Sequence, residues 1–175
     1  TSLVGSEMCI RDRKKIVQKC RDFGKPVVVA TQMLDSMINS PSPTRAEASD
    51  VASAVFDGAD CLMLSAETAA GNFPVFSVEI MDRIIRNVEN DISYRQLLNS
   101  KSVKLEETTS DAISAAASQV VNIVAAKAIF TYTRSGKTAI RAARERPSVP
   151  IIGLSPERLT SRQLALVWGV HTIHA

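Results

Sequence analysis

The 175-residue sequence predicts an α/β fold in two parts, a β/α unit followed by a small open α/β domain. Three observations predict it. Two short apolar runs, Pro26–Ala30 and Cys61–Leu64, end in the polar residues Thr31-Gln32 and Ser65-Ala66-Glu67-Thr68. They read as strands buried on both faces of a parallel sheet. Between them lies a helix with its own start and stop signals, and beyond residue 110 short strands and helices alternate again. In folds of this class the chemistry gathers at the C-terminal ends of the strands.

Taken in order, residues 1–13, TSLVGSEMCIRDR, fit nothing that follows. The run from Leu3 to Asp12 matches what a widely used sequencing adapter gives when read as codons, so these residues are set outside the fold. The biological sequence is expected to start near Lys14, with its upstream part missing. A signal peptide is the rival reading, but the apolar segment is short and Glu7 interrupts it. Lys14–Phe23 reads as an amphipathic helix, with Ile16, Val17 and Cys20 inward and Lys14, Lys15, Lys19 and Arg21 outward. Gly24 ends it and Pro26 opens the first strand.

The next helix starts at Thr44, three residues before Glu47, the spacing of a capping box. Ala48, Val51, Ala52 and Val55 give its apolar face and Gly58 its left-handed stop. Ahead of it, the loop Asn39–Arg45 is stiffened by Pro41 and Pro43. After the second strand, Pro74 opens a helix carrying Val75, Val78, Met81, Ile84, Ile85 and Val88 inward. The polar stretch Asp91–Thr109 reads as a crossing segment, with a short helical piece at Tyr94–Leu98.

The second part begins with a helix over Ser110–Val124, opened by Thr108 and Asp111 as a capping pair. A strand over Ala126–Tyr132, a helix over Gly136–Glu145 and a strand over Val149–Leu154 follow. The last elements are a helix over Thr160–Trp168, with Thr160 and Gln163 as its box and Gly169 as its stop, and a strand over Val170–His174. Trp168 reads as a half-buried anchor.

Composition excludes several functions. Hydrophobic residues make up 45% and charged residues 22% of the chain, ordinary for a globular protein. No apolar run approaches the ~20 residues that cross a membrane. A net charge of +3, from 21 basic and 18 acidic residues, does not point to nucleic acid. Cys9, Cys20 and Cys61 have no metal or CxxC spacing; Cys9 lies in the excluded tail, and Cys20 and Cys61 read as reduced, packed thiols, as in cytosolic proteins. Asp50, Asp57 and Asp60 fall on a helix, its end and a strand start, and His171 and His174 are isolated, so neither set forms a metal site.

One constellation stands out in the second part. Thr133-Arg134-Ser135-Gly136-Lys137-Thr138 gathers hydroxyls and free N–H groups where a strand hands over to a helix, which makes a phosphate cradle. A plain helix cap with solvated basic neighbours is the alternative.

The segments ATQMLDSM, PTRAEASDVASAVFDGAD and MLSAETAAGNFP closely resemble pyruvate kinase. The match runs without a gap from about Lys15 to Ile85 and resumes in the C-terminal third. Ala48, Ser53 and Ala66 stand where other members often carry Val, Asn and Gly. The resemblance implies a partial TIM (β/α)8 barrel: residues 14–90 would be its last two β/α units, 91–109 the crossing segment and 110–175 a truncated C-terminal domain. It implies phosphoryl transfer from phosphoenolpyruvate to ADP in the cytoplasm, with Mg2+ and K+ held by ligands upstream of this chain and no metal ligand within it. Thr31 and Ser65 would serve protonation of the enolate, with Gln32 and Glu67 substrate-adjacent or structural. Arg45, Glu47 and Asp50 would lie at a subunit interface of a homotetramer, a cap plus surface ion pairs being the alternative. Thr133, Arg134, Ser135 and Thr138 would hold the phosphate of a sugar-phosphate or nucleotide effector. The chain alone is expected to be inactive and to aggregate. Two rival readings stand beside it: a non-catalytic short product that binds an effector phosphate or a full-length partner, and another barrel enzyme acting on phosphoenolpyruvate or a similar oxo acid.

Overall fold

A computed structural model describes residues 2–30, 32–100 and 108–175. The chain divides into two units, one formed by residues 1–18 and 27–101, the other by residues 19–26 and 102–175.

Helix α1 (Ser2–Asp22) belongs to the first unit up to Gln18, and in that unit strand β1 (Val28–Val29), a 3-10 turn (Asp35–Ile38), helix α2 (Arg45–Asp57) and strand β2 (Cys61–Leu62) follow. Short helix α3 (Ala66–Ala69) and helices α4 (Pro74–Glu89) and α5 (Ile92–Ser100) complete it. The predicted caps form. The Thr44 hydroxyl accepts from the Glu47 N–H while the Glu47 carboxylate accepts from the Thr44 N–H, and Gly58 closes α2 at φ 100. β1 and β2 pair in parallel, Val28 with Cys61 and Val29 with Leu62.

The strands are not buried on both faces. Val29 joins a core with Val17, Met33, Leu34, Met37, Val51, Ala54, Ala59 and Met81, while Val28, on the opposite face of the pleat, is 44% exposed. Leu34 and Met37 are fully buried, and truncating either to alanine is expected to cost about 2–5 kcal/mol. A second cluster of Val55, Val88, Tyr94 and Leu98 seats α5, with the Tyr94 ring edge-on to Phe56 at 5.5 Å. The helical piece predicted at Tyr94–Leu98 is thus part of a longer helix. Lys101, Lys104, Glu106 and Glu107 of the crossing segment lie outside the described residues.

Three inward assignments fail. Val75 and Val78 are 67% and 53% exposed, because the buried stripe of α4 runs through Ser77, Met81 and Val88. At about 100° per residue, positions 75 and 78 are turned away from it. Ile16 is 57% exposed while its neighbour Val17 is fully buried, which fixes the inward face of α1. Within residues 1–13, Arg13 bonds from Nη1 to Asp50 at 2.7 Å and from Nε to Asp57 at 3.4 Å. Asp57 sits at the C-terminal end of α2, where the helix dipole disfavours an anion, and Arg13 and Lys14 offset that.

In the second unit, helix α6 (Thr109–Ile123) is followed by β3 (Ile129–Tyr132), α7 (Lys137–Arg144), β4 (Ile151–Ser155), α8 (Arg158–Leu164) and β5 (Val170–His174). The strands form a parallel sheet in the order β3-β4-β5. Ala139, Ala142, Ala143, Ile151, Leu164, Val167 and Val170 form its core. The Thr108 hydroxyl caps α6 by accepting from the Asp111 N–H at 3.3 Å. Strand β3 starts later than predicted, after the chain turns at Ala125, φ 50.

Helix α8 corrects a further expectation. It begins at Arg158 and ends at Leu164, so the Thr160–Gln163 box does not form. Ser155 instead turns the chain, its hydroxyl accepting from the Glu157 N–H at 3.2 Å. The Thr160 hydroxyl donates to the Arg134 carbonyl at 2.9 Å. Arg21, expected outward, is buried because its Nε donates to the Arg144 carbonyl at 3.0 Å. The Asp111 carboxylate, 0% exposed, pairs with Arg141 and with the buried Arg144. Trp168 is half-buried, with the Arg146 guanidinium 4.7 Å from its ring centroid.

Candidate functional site

The loops leaving β1 and β2 are joined by one carboxylate. Glu67, in the first turn of α3, is 2% exposed. Its Oε1 accepts from the Leu34 N–H at 3.1 Å and its Oε2 from the Ser65 N–H at 2.7 Å. Burial alone would push this carboxyl up. The N–H groups of Glu67 itself, Ser65 and Leu34 outweigh it and hold the group below the usual carboxylate value, against a small opposing contribution from the Glu47 charge. Glu67 is therefore an ionised acceptor at neutral pH, and its partners are backbone amides.

A second carboxylate holds the same loop from the other side. Glu47 accepts from the Ser36 N–H at 2.7 Å and from the Ser36 hydroxyl. It also accepts from the Thr44 N–H at 2.7 Å and the Thr44 hydroxyl at 2.8 Å. Burial works to raise its pKa, but the Ser36 and Thr44 donors lower it to about 2. The two loops also meet backbone to backbone. The Asn72 N–H donates to the Ile38 carbonyl at 2.8 Å, and a Cβ placed on Gly71 would stand 3.2 Å from the Ile38 Cα.

Of the rim residues singled out in the sequence, Thr31 lies outside the described residues. Gln32 is exposed and takes φ 52, a left-handed conformation uncommon for a residue with a side chain. Ser65 is exposed, and its hydroxyl does not cap α3. Ser65 and Glu67 thus stand together, tied to the loop that carries Gln32. Among the three interface candidates, Arg45 is exposed, Asp50 pairs with Arg13, and Glu47 turns its oxygens to Ser36 and Thr44. The sequence signals the Thr44–Glu47 cap but gives no sign of the link to Ser36, eleven residues upstream.

In the second unit, the Thr133 N–H extends the β3 ladder to the Leu154 carbonyl at 2.9 Å, and its residue is buried. Gly136, at φ 80, opens α7 without a side-chain cap. Ser135, Lys137 and Thr138 are exposed around that opening. The Arg134 guanidinium lies 3.3 Å from Glu157 in an exposed pair, worth at most about 1 kcal/mol. Among the described residues no group of three or more His, Cys, Asp or Glu side chains could hold a metal ion. Asp60, for one, accepts from the Val27 N–H at 2.9 Å. No helix among them is long and apolar enough to cross a membrane.

Comparison with known proteins agrees with this geometry in both units. Residues 3–78 match the pyruvate kinase barrel domain, and residues 111–175 match the pyruvate kinase alpha/beta domain. A pyruvate kinase of Methylorubrum extorquens is 53% identical over 92% of this chain and 34% of its own length. One of Geobacillus stearothermophilus is 47% identical over 93% of this chain and 28% of its own length. A solved pyruvate kinase from Cryptosporidium parvum superposes with a TM-score of 0.87 at 43% identity, covering 93% of this chain and 33% of that one. The chain spans about a third of the length of the curated relatives it matches. With the barrel match carrying the clamped rim loops and the alpha/beta match carrying the three-stranded sheet, the chain belongs to the pyruvate kinase family.

Proposed function

We propose that this chain is the part of a cytoplasmic pyruvate kinase that supplies one arc of the active-site rim and most of the C-terminal domain. The whole enzyme transfers a phosphoryl group from phosphoenolpyruvate to ADP and then protonates the enolate to pyruvate. Ser65, together with Thr31, serves the protonation. A hydroxyl suits that step because it both accepts and donates, and so relays a proton through ordered water without carrying charge. The single observation that supports the reading is the Glu67 clamp: an ionised carboxylate joins the loops after β1 and β2 and leaves the Ser65 hydroxyl facing solvent at the strand ends. Because Glu67 is held ionised, it orients rather than donates the proton.

The family implies Mg2+ and K+, which would supply charge neutralisation at the transferring phosphate. Among the described residues no group of three or more His, Cys, Asp or Glu side chains could hold either ion. A homotetramer with Arg45 and Asp50 at a subunit interface is part of the same proposal.

A second role belongs to the loop after β3. The left-handed Gly136 and the uncapped opening of α7, ringed by Ser135, Lys137 and Thr138, favour an effector phosphate there, with Thr133 and Arg134 shaping the loop. Sugar-phosphate or nucleotide effectors carry such a group.

The test is turnover of phosphoenolpyruvate and ADP by the longest protein encoded around these residues, beside the 175-residue chain alone. Pyruvate and ATP from the longer protein and none from the short chain is the expected result. No turnover by the longer protein, with both cations supplied, would overturn the reading. A short chain that stays soluble and binds inorganic phosphate at residues 133–138 without turnover would favour the non-catalytic alternative.

A further inference from the structure

We propose that Glu47 is a positioning residue for the proton-transfer rim, setting the course of residues 32–38 by drawing donors from two separate segments onto one carboxylate. This rests on the function proposed above. A capping box needs only the exchange between Thr44 and Glu47. Here the same carboxylate also takes the Ser36 N–H and hydroxyl, in the 3-10 turn that follows β1. An ionised acceptor gives shorter and stronger bonds than a neutral one, so the turn is fastened to the start of α2 and not merely laid against it. At the opposite end of the loop Glu67 takes the Leu34 N–H. Between the two carboxylates, Met33, Leu34 and Met37 are buried in the core.

The loop is therefore fixed at Leu34, at Ser36 and by three buried side chains. The residue at its exposed start, Gln32, holds φ 52. A residue with a Cβ stays in that region only where its surroundings impose it. Glu47 is one of the restraints that impose it, and its four bonds within the chain account for the carboxylate without any partner subunit.

Glu47→Gln keeps the shape and one acceptor oxygen but aims an NH2 at donors. In the longer protein it should lower kcat at least tenfold while KM for phosphoenolpyruvate moves less than threefold. In the same variant, amide exchange across residues 32–38 should rise at least tenfold, with Val51 and Val55 in the body of α2 unchanged. Ser36→Ala removes a single donor and should move kcat and exchange in the same direction by about threefold; it carries the test if the first variant does not fold. Faster exchange with unchanged kcat would overturn the proposal, leaving Glu47 a structural staple. Unchanged exchange would overturn it as well. If the unmodified longer protein has no turnover, the functional reading falls by itself, and the exchange comparison in that same longer protein still decides whether Glu47 sets the loop.

Discussion

Replacing Glu67 by glutamine tests the rim clamp directly. The carboxylate is 2% exposed and accepts from two backbone N–H groups, of Leu34 and Ser65. Glutamine can satisfy one of them, but its NH2 then faces the other. The loss is one hydrogen bond to a charged acceptor, and one buried donor is left without a partner. These contributions overlap and together come to about 2–4 kcal/mol, with no discount for solvent at this burial. At 1.4 kcal/mol per factor of ten, that is about 30- to 700-fold in the local opening equilibrium. Hydrogen exchange at neutral pH in dilute solution reads it at the Leu34 and Ser65 amides. The pH dependence adds a sign. Because the folded-state pKa is lowered, the stabilisation is complete above the ordinary carboxylate pKa and is lost as pH falls through the lowered value. Protection of the two amides, corrected for intrinsic rate, should therefore fall on acidification in the native chain and stay flat in Glu67→Gln. A change of less than about threefold at both amides at neutral pH would refute the reasoning, since it lies below any reasonable value for an orphaned buried donor.

Further outcomes follow from other sites. Gly71→Ala puts a Cβ 2.6 Å from the Glu67 carbonyl oxygen, backbone that cannot give way, and should destabilise the first unit by about 1–3 kcal/mol in thermal melts. Asp111→Asn removes one of the two carboxylates beside the buried Arg144, leaving Glu145 at 3.6 Å, and should cost the second unit about 1.5–3 kcal/mol, read from urea unfolding by fluorescence of Trp168. Glu47, lowered to about 2, should contribute fully above pH 4.5 and lose its contribution between there and pH 2, so amide protection of Ser36 and Thr44 should be flat from neutral pH to about 5. Glu145 has the opposite sign: burial, against Arg144 and Arg21, raises its pKa, so the ionised form disfavours the folded state at neutral pH. Glu145→Gln should leave the second unit as stable or more stable at pH 7, and acidification from 7 should benefit the native chain more than the variant.

The parts of this fold visible in the sequence are those set by local chemistry. The Thr44–Glu47 box, Gly58, Pro74 and the Thr108 cap act within one helical turn, so spacing alone reveals them. Inward and outward faces are less legible. On α4 the buried stripe passes through Ser77, a small polar residue whose hydroxyl donates to the Phe73 carbonyl, while Val75 and Val78 are exposed. Hydrophobicity gives no reason to choose that face. Arg21 reads as a surface cation because its partner lies 123 residues away at Arg144. Thr160 and Gln163 have the spacing of a box, but the Thr160 hydroxyl serves the Arg134 carbonyl across the sheet end. At the rim, Ser65 and Glu67 are readable through the family resemblance. What Glu67 touches is not, since backbone acceptors and donors leave no pattern in side-chain identity.

The most direct test of the account is exchange of the pyruvate methyl protons with solvent deuterium, followed by NMR in the longer protein and in its Ser65→Ala variant with both cations present. This isolates the protonation step from phosphoryl transfer. The native protein should exchange these protons, with at least a tenfold loss in the variant. Equal exchange in the two proteins would contradict the role given to Ser65, and no exchange by the native protein would contradict the enzymatic reading itself.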